Sequence, residues 1–206
     1  MAFFDSAVQR HLADIRQFVV LGAGFDTRAY RLPLDSPVRC FEIDTARTQA
    51  VKRATLERAG IDASRVMFVT ADFGKDDWLD RLIGAGFDPT QRALLLWEGV
   101  TMYLTREAVQ ETLRKIASLA PGTVVAFDYF TTEPLVSRSL YWRYGRAATR
   151  AAHEPLRFGF DSTPPSKERL REFLDACGLS LVEHQLLGRE AAGSRAWGGF
   201  ATAAVK

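Results

Sequence analysis

FVVLGAGFDTRAYR, residues 18–31, is the stretch that decides the fold. The apolar run from Phe18 to Leu21 stops at Gly22-Ala23-Gly24, the pattern of a buried strand feeding a tight glycine turn. Glycine has no Cβ, so the backbone there can come close to a ligand. Some twenty positions on, a second apolar run closes on Glu42 and Asp44 in FEID, residues 41–44. A glycine turn after the first strand and an acid after the second is how an α/β sheet holds a nucleoside.

The spacing speaks against a dinucleotide. That fingerprint places a third glycine three positions after the second, where this chain has Thr27, preceded by Asp26. A carboxylate in that turn would repel a pyrophosphate. Asp26 instead suits a ligand with a positive or donor-rich end.

Outward from this stretch, short apolar runs at 17–21, 38–43, 66–70, 93–97 and 123–129 read as strands. Helices are expected between them. One covers 45–59, with Gly60 as its stop, and another covers 105–120, with Thr105 as a cap and Pro121-Gly122 beyond its end. This alternation predicts a mostly parallel sheet with right-handed crossovers. The end of the chain departs from it. Residues 179–187 and 197–205 read as two strands joined by a turn over 188–193, with no helix between, so they pair antiparallel. The expectation is an α/β domain spanning 1–206, with seven strands and helices on both faces.

Four motifs in order carry a family resemblance: GAGFDTRAYRL (22–32), FEID (41–44), TADF (70–73) and WEGVTMYL (97–104). Together they resemble the leucine carboxyl methyltransferase-like family of S-adenosylmethionine-dependent methyltransferases, its bacterial polyketide O-methyltransferase-like branch above all. The resemblance implies a class I, Rossmann-like methyltransferase fold and S-adenosyl-L-methionine as cofactor. It implies O-methylation of a carboxylate or hydroxyl on a small molecule, and it covers roughly residues 3–130. The family also carries a helical lid ahead of the position of Phe3, so the lid is expected to be absent here and the cofactor loosely held.

The residues fit that ligand one by one. Gly22, Ala23 and Gly24 form the turn. Asp44 can accept both hydroxyl protons of a ribose, with Glu42, two positions earlier on the same strand face, as the alternative acid. Asp72 beside Phe73 suits an adenine, the acid taking the exocyclic amine and the ring flanking the base. The family places Glu98 near the amino-acid end of the cofactor. Arg28 either pairs with Asp26 or meets the cofactor carboxylate. Tyr103 and His153 are the candidates for catalytic chemistry, and neither sits in a motif that makes it a base.

Composition narrows the rest. A net charge of +2, from 27 basic against 25 acidic residues, makes no electrostatic case for nucleic acid. The sequence has no long apolar span and no signal-like start, and its two cysteines, Cys40 and Cys177, lie far apart. The expectation is a reduced, cytoplasmic chain with no metal and no membrane partner. Residues 131–165 interrupt the pattern with prolines, aromatics and arginines. They suit a substrate cap, with Tyr141, Trp142, Tyr144 and Arg143 or Arg146 holding an aromatic or acidic acceptor, or else a homodimer surface. Two other functions compete: an NAD-dependent oxidoreductase, and a cofactor-binding protein without turnover.

Overall fold

The computed structural model describes residues 2–191 and 195–206. Seven strands form one sheet: β1 (Gln17–Leu21), β2 (Arg39–Asp44), β3 (Val66–Thr70), β4 (Ala93–Trp97), β5 (Val124–Phe130), β6 (Leu179–Leu187) and β7 (Gly198–Val205). Their order across the sheet is β3-β2-β1-β4-β5-β7-β6. The first five run parallel, and β7 inserts antiparallel between β5 and β6. This is the class I methyltransferase architecture expected from the sequence. Of the turn expected over 188–193, residues 192 and 193 lie outside the described residues.

The sheet is fully covered at its centre. Every residue of β1 and β4 is buried, which is why both read as continuous apolar runs rather than alternating ones. Alternate side chains feed two cores. Val19, Leu21, Leu95, Trp97, Val125 and Phe127 face one layer, built on α3 (Trp78–Gly84), α4 (Arg106–Ala117) and α7 (Ser166–Ala176). Phe18, Val20, Leu94, Leu96 and Ala126 face the other, which includes α1 (Ala2–His11).

Local chemistry sets the helix starts. Thr45 caps α2 (Ala46–Arg58), and Thr105 caps α4 by accepting from Ala108 N at 3.2 Å. Asp77 caps α3 through Leu79 N and Asp80 N, both at 3.1 Å. Two more helices, α5 (Glu133–Val136) and α6 (Leu140–Ala151), build the expected insert. Cys40 and Cys177 are buried free thiols. Among the described residues no helix is long and apolar enough to cross a membrane.

Candidate cofactor site

The carboxyl ends of β1, β2 and β4 converge on the glycine turn. Gly22 and Gly24 both adopt left-handed backbone, with φ of 65° and 41°. Gly22 is doubly constrained, since a Cβ there would lie 2.4 Å from Val100 Cγ2. Asp44 clamps the turn. Its Oδ2 accepts from Gly24 N at 2.7 Å, and its Oδ1 from Thr45 N at the same distance. The helix cap is therefore Thr45, and Asp44 remains at the end of β2 with its carboxylate on the turn.

Beneath the turn lies a buried strut that the sequence did not announce. Lys52, from α2, pairs with Glu42 at 2.7 Å and donates to the carbonyl of Asp26 at 2.7 Å. Tyr30 Oη adds a bond to Glu42 Oε2 at 3.1 Å. Burial raises the Glu42 pKa, and the bonds from Lys52 and Tyr30 counter that only in part. Neither Glu42 nor Asp44 lines the cavities described below, but Glu42 is sealed under the turn while Asp44 is only partly buried, so burial speaks against Glu42 as the alternative ribose acid. Lys52 carried no sequence signal beyond its place on a helix.

Arg28 is the hub of the cavity wall. It is buried, and its guanidinium reaches three carboxylates: Asp26, Glu98 at 2.7 Å and Asp5 of α1 at 3.0 Å. Burial opposes its charge, but Asp26 and Glu98 more than offset this and its pKa is raised. Of the two roles open to Arg28 in the sequence, the structure shows the ion pair. Arg31, more exposed and bonded to Asp5 at 3.2 Å, stands at the mouth.

These residues wall a cavity of about 500 Å³, with Gly22, Ala23, Gly24, Asp26, Arg28 and Glu98 among its lining. A second and larger cavity, about 810 Å³, opens between the loop after β3, the start of α4 and the insert. Asp72 and Phe73 stand on one side of it, with Tyr103, His153 and Arg157 also among its lining. Asp72 is held low by Lys75 and by the N–H of Gly74. Phe73 is half-buried against the Trp78 ring. Burial raises the Tyr103 pKa, and Glu154 and Asp128 add to it. His153 is the single non-glycine residue at positive φ among those described, at 64°.

The insert departs from the expected acceptor wall. Tyr141 and Tyr144 are 76% and 79% exposed, and neither lines either of these two cavities. Trp142 packs on Phe130 and Trp197. Arg146 donates to the carbonyls of Pro134 and Ser137, at 2.7 and 2.9 Å, and so braces α5. The insert reaches the larger cavity through His153 and Arg157 instead. Among the described residues, no group of three or more His, Cys, Asp or Glu is placed to hold a metal.

Comparison with known proteins agrees with this architecture. The sequence profile of the leucine carboxyl methyltransferase family matches residues 1–117. A relative from Mycolicibacterium smegmatis, named by inference as an S-adenosyl-L-methionine-dependent methyltransferase, is 39% identical over 152 residues, covering 72% of this chain and 46% of its own. A second, so named, from Mycolicibacterium paratuberculosis is 33% identical over 185 residues, covering 88% of this chain and 59% of its own. The chain spans about half the length of the curated relatives it matches. Among solved structures, a methyltransferase from Methanosarcina mazei superposes with a TM-score of 0.62 at 10% identity, covering 97% of this chain and 96% of its own. Magnesium protoporphyrin IX methyltransferase from Synechocystis, with bound S-adenosylhomocysteine, gives 0.59 at 12%, covering 100% and 83%. At these identities the two structures speak for the fold alone.

Proposed function

The chain belongs to the leucine carboxyl methyltransferase family of S-adenosylmethionine-dependent methyltransferases, and from that premise we propose that it is an O-methyltransferase acting on a small molecule. The observation that carries this reading is the Asp44–Gly24 clamp, with Asp26 and Glu98 facing the same turn. The chemistry of the residues fits the cofactor. The glycine turn, at positive φ, leaves room for close backbone approach. Asp26 and Glu98 would meet an ammonium, and Arg31 at the mouth would meet a carboxylate. Asp44 would hold the ribose, while Asp72 and Phe73 would hold the adenine. When bound, S-adenosylmethionine supplies an electrophilic methyl carbon.

The protein's part is alignment. Displacement at a sulfonium needs the acceptor oxygen in line with the methyl group, and holding two reactants in that geometry is a large source of acceleration. Arg157 and His153 would receive an acidic acceptor on the insert side, with Tyr103 beside them. A carboxylate acceptor is already nucleophilic and needs no proton acceptor, whereas a hydroxyl would benefit from one.

The test is transfer of radiolabelled methyl groups from S-adenosylmethionine to aromatic carboxylic acids and phenols, run beside calorimetric titration with S-adenosylhomocysteine and NADH. Methyl transfer with S-adenosylhomocysteine binding is the expected result. Binding of S-adenosylhomocysteine with no transfer to either class would favour a cofactor-binding protein without turnover. Binding of NADH alone would contradict the reading.

A further inference from the structure

The segment from Glu98 to Thr101 touches both the glycine turn and β5. It sets Glu98 on Arg28 at 2.7 Å. It also lays Val100 against Gly22 so closely that no Cβ could stand there. The segment has no regular structure to fix it before the short helical turn at Thr101–Tyr103, and Gly99 in its middle is left-handed, with φ of 72°. What fixes it comes from β5. Trp97 is registered with Phe127, so Asp128 stands beside the outgoing chain. Asp128 Oδ1 accepts from Gly99 N at 2.7 Å, and the Asp128 carbonyl accepts from Thr101 Oγ1 at 2.9 Å. One residue therefore holds the segment at two points.

The sheet gives Asp128 no other task. It is an acid near the end of an otherwise apolar strand, VVAFDYF, and its neighbour on β7 is Phe200, which offers no charge. Its carboxylate has no cation partner among the described residues, and burial pushes its carboxyl up to about 6. A half-buried acid kept without a counter-ion is unfavourable for stability, which calls for a role outside packing.

We infer that Asp128 is a positioning residue of the cofactor site: by pinning the 98–101 segment it sets Glu98 on Arg28 and Val100 on the glycine turn. This rests on the reading of that turn as the S-adenosyl site. Its reach is the amino-acid end of the ligand, since Glu98 and Gly22 lie there, and it acts through them without touching the ligand.

The experiment is calorimetric titration of S-adenosylhomocysteine into the full chain and three variants, each checked for folding by circular dichroism. Asp128→Ala removes the acceptor of the Gly99 N–H and should weaken binding at least tenfold. Asp128→Asn keeps a carbonyl oxygen at that point and should recover most of the affinity, to within about threefold of the parent. Thr101→Val removes the second pin alone and should fall between. If Asp128→Ala does not fold, Thr101→Val carries the test, with weakened binding expected. Parent-like affinity in Asp128→Ala, or in Thr101→Val, would overturn the inference. So would an Asp128→Asn variant as weak as Asp128→Ala. A parent chain that binds no S-adenosylhomocysteine would instead refute the reading of the site on which the inference rests.

Discussion

Gly22 and Gly24 look equivalent in the sequence, but the structure gives them different reasons to be glycine. A side chain at Gly24 meets open space, its nearest contact being 3.9 Å away, so only the positive φ resists it. A side chain at Gly22 meets both the positive φ and Val100. Gly24→Ala should therefore cost roughly 1–2 kcal/mol, from the left-handed backbone alone. Gly22→Ala should cost about 1–3 kcal/mol more, for overpacking. Urea denaturation of the two variants checks the order, and a Gly24→Ala variant less stable than Gly22→Ala would contradict it. Asp128 allows a second prediction at this scale. Its carboxyl is raised from an ordinary 3.8 to about 6, so the folded chain holds that proton more readily than the unfolded chain does. Stability is then lost as pH rises from about 4 through about 6, and the full penalty, up to roughly 3 kcal/mol, applies above that window. Asp128→Asn should accordingly melt at a higher temperature than the parent at pH 7.5, with the difference shrinking towards pH 4. A lower melting temperature at pH 7.5 would show that the charge is stabilising. Asp128 fell inside an expected strand, 123–129, without standing out as a site residue. Lys52 was not legible, because its role depends on α2 folding back over the turn, which no local spacing encodes.

At the scale of elements, the strands were readable within a residue or so: β1 and β4, buried on both faces, are continuous apolar runs, while the half-exposed β3 and β6 are short apolar stretches bounded by turn and polar residues. Helix α2 was readable for its stop at Gly60, though not for its Thr45 cap, and α4 for its Thr105 cap and the Pro121-Gly122 beyond it. The helix at the start of the chain was not. Its buried residues Phe3, Phe4, Ala7 and Val8 make a single stripe too short to stand out, and the stripe has meaning only against the far end of the chain. Phe3 stacks on Phe200 of β7, and Phe4 meets the same ring edge-on. The same helix carries Asp5 to Arg28 and Arg31. Phe4→Ala should therefore destabilise the fold by about 3–5 kcal/mol, the usual range for a buried aromatic. Chemical denaturation reads that directly, and a loss under 1 kcal/mol would mean the helix is not part of the cooperative core. Helix α6 is the opposite case. It has no buried residue, and its tyrosines are exposed. The aromatic and arginine cluster of the insert suggested an acceptor wall from composition alone, and composition does not say which way a helix faces.

At the scale of the whole molecule, the sheet order places the carboxyl ends of β1, β2 and β4 side by side, with β3 at the edge beyond β2. Four motifs separated by tens of residues thereby come to one end of the sheet, as an open α/β sheet requires of its ligands. This convergence was the most legible property of the chain, since parallel strands in alternation with helices leave few topologies open. The antiparallel hairpin was legible for the same reason, having no helix between its strands. The larger cavity was legible on its α4 side, where the helix places Thr105, Ala108 and Thr112, but not on the side of His153 and Arg157, which lie in the loop after α6 and follow no period. A crystal structure of the chain with S-adenosylhomocysteine decides whether the glycine turn is the cofactor site. The ribose hydroxyls should lie within hydrogen-bond distance of Asp44, about 2.5–3.0 Å. The amino-acid end should lie against Gly22–Gly24 and Glu98, and the adenine beside Asp72 and Phe73. Ligand density elsewhere, or a ribose that leaves Asp44 bound only to Gly24 and Thr45, would contradict this placement.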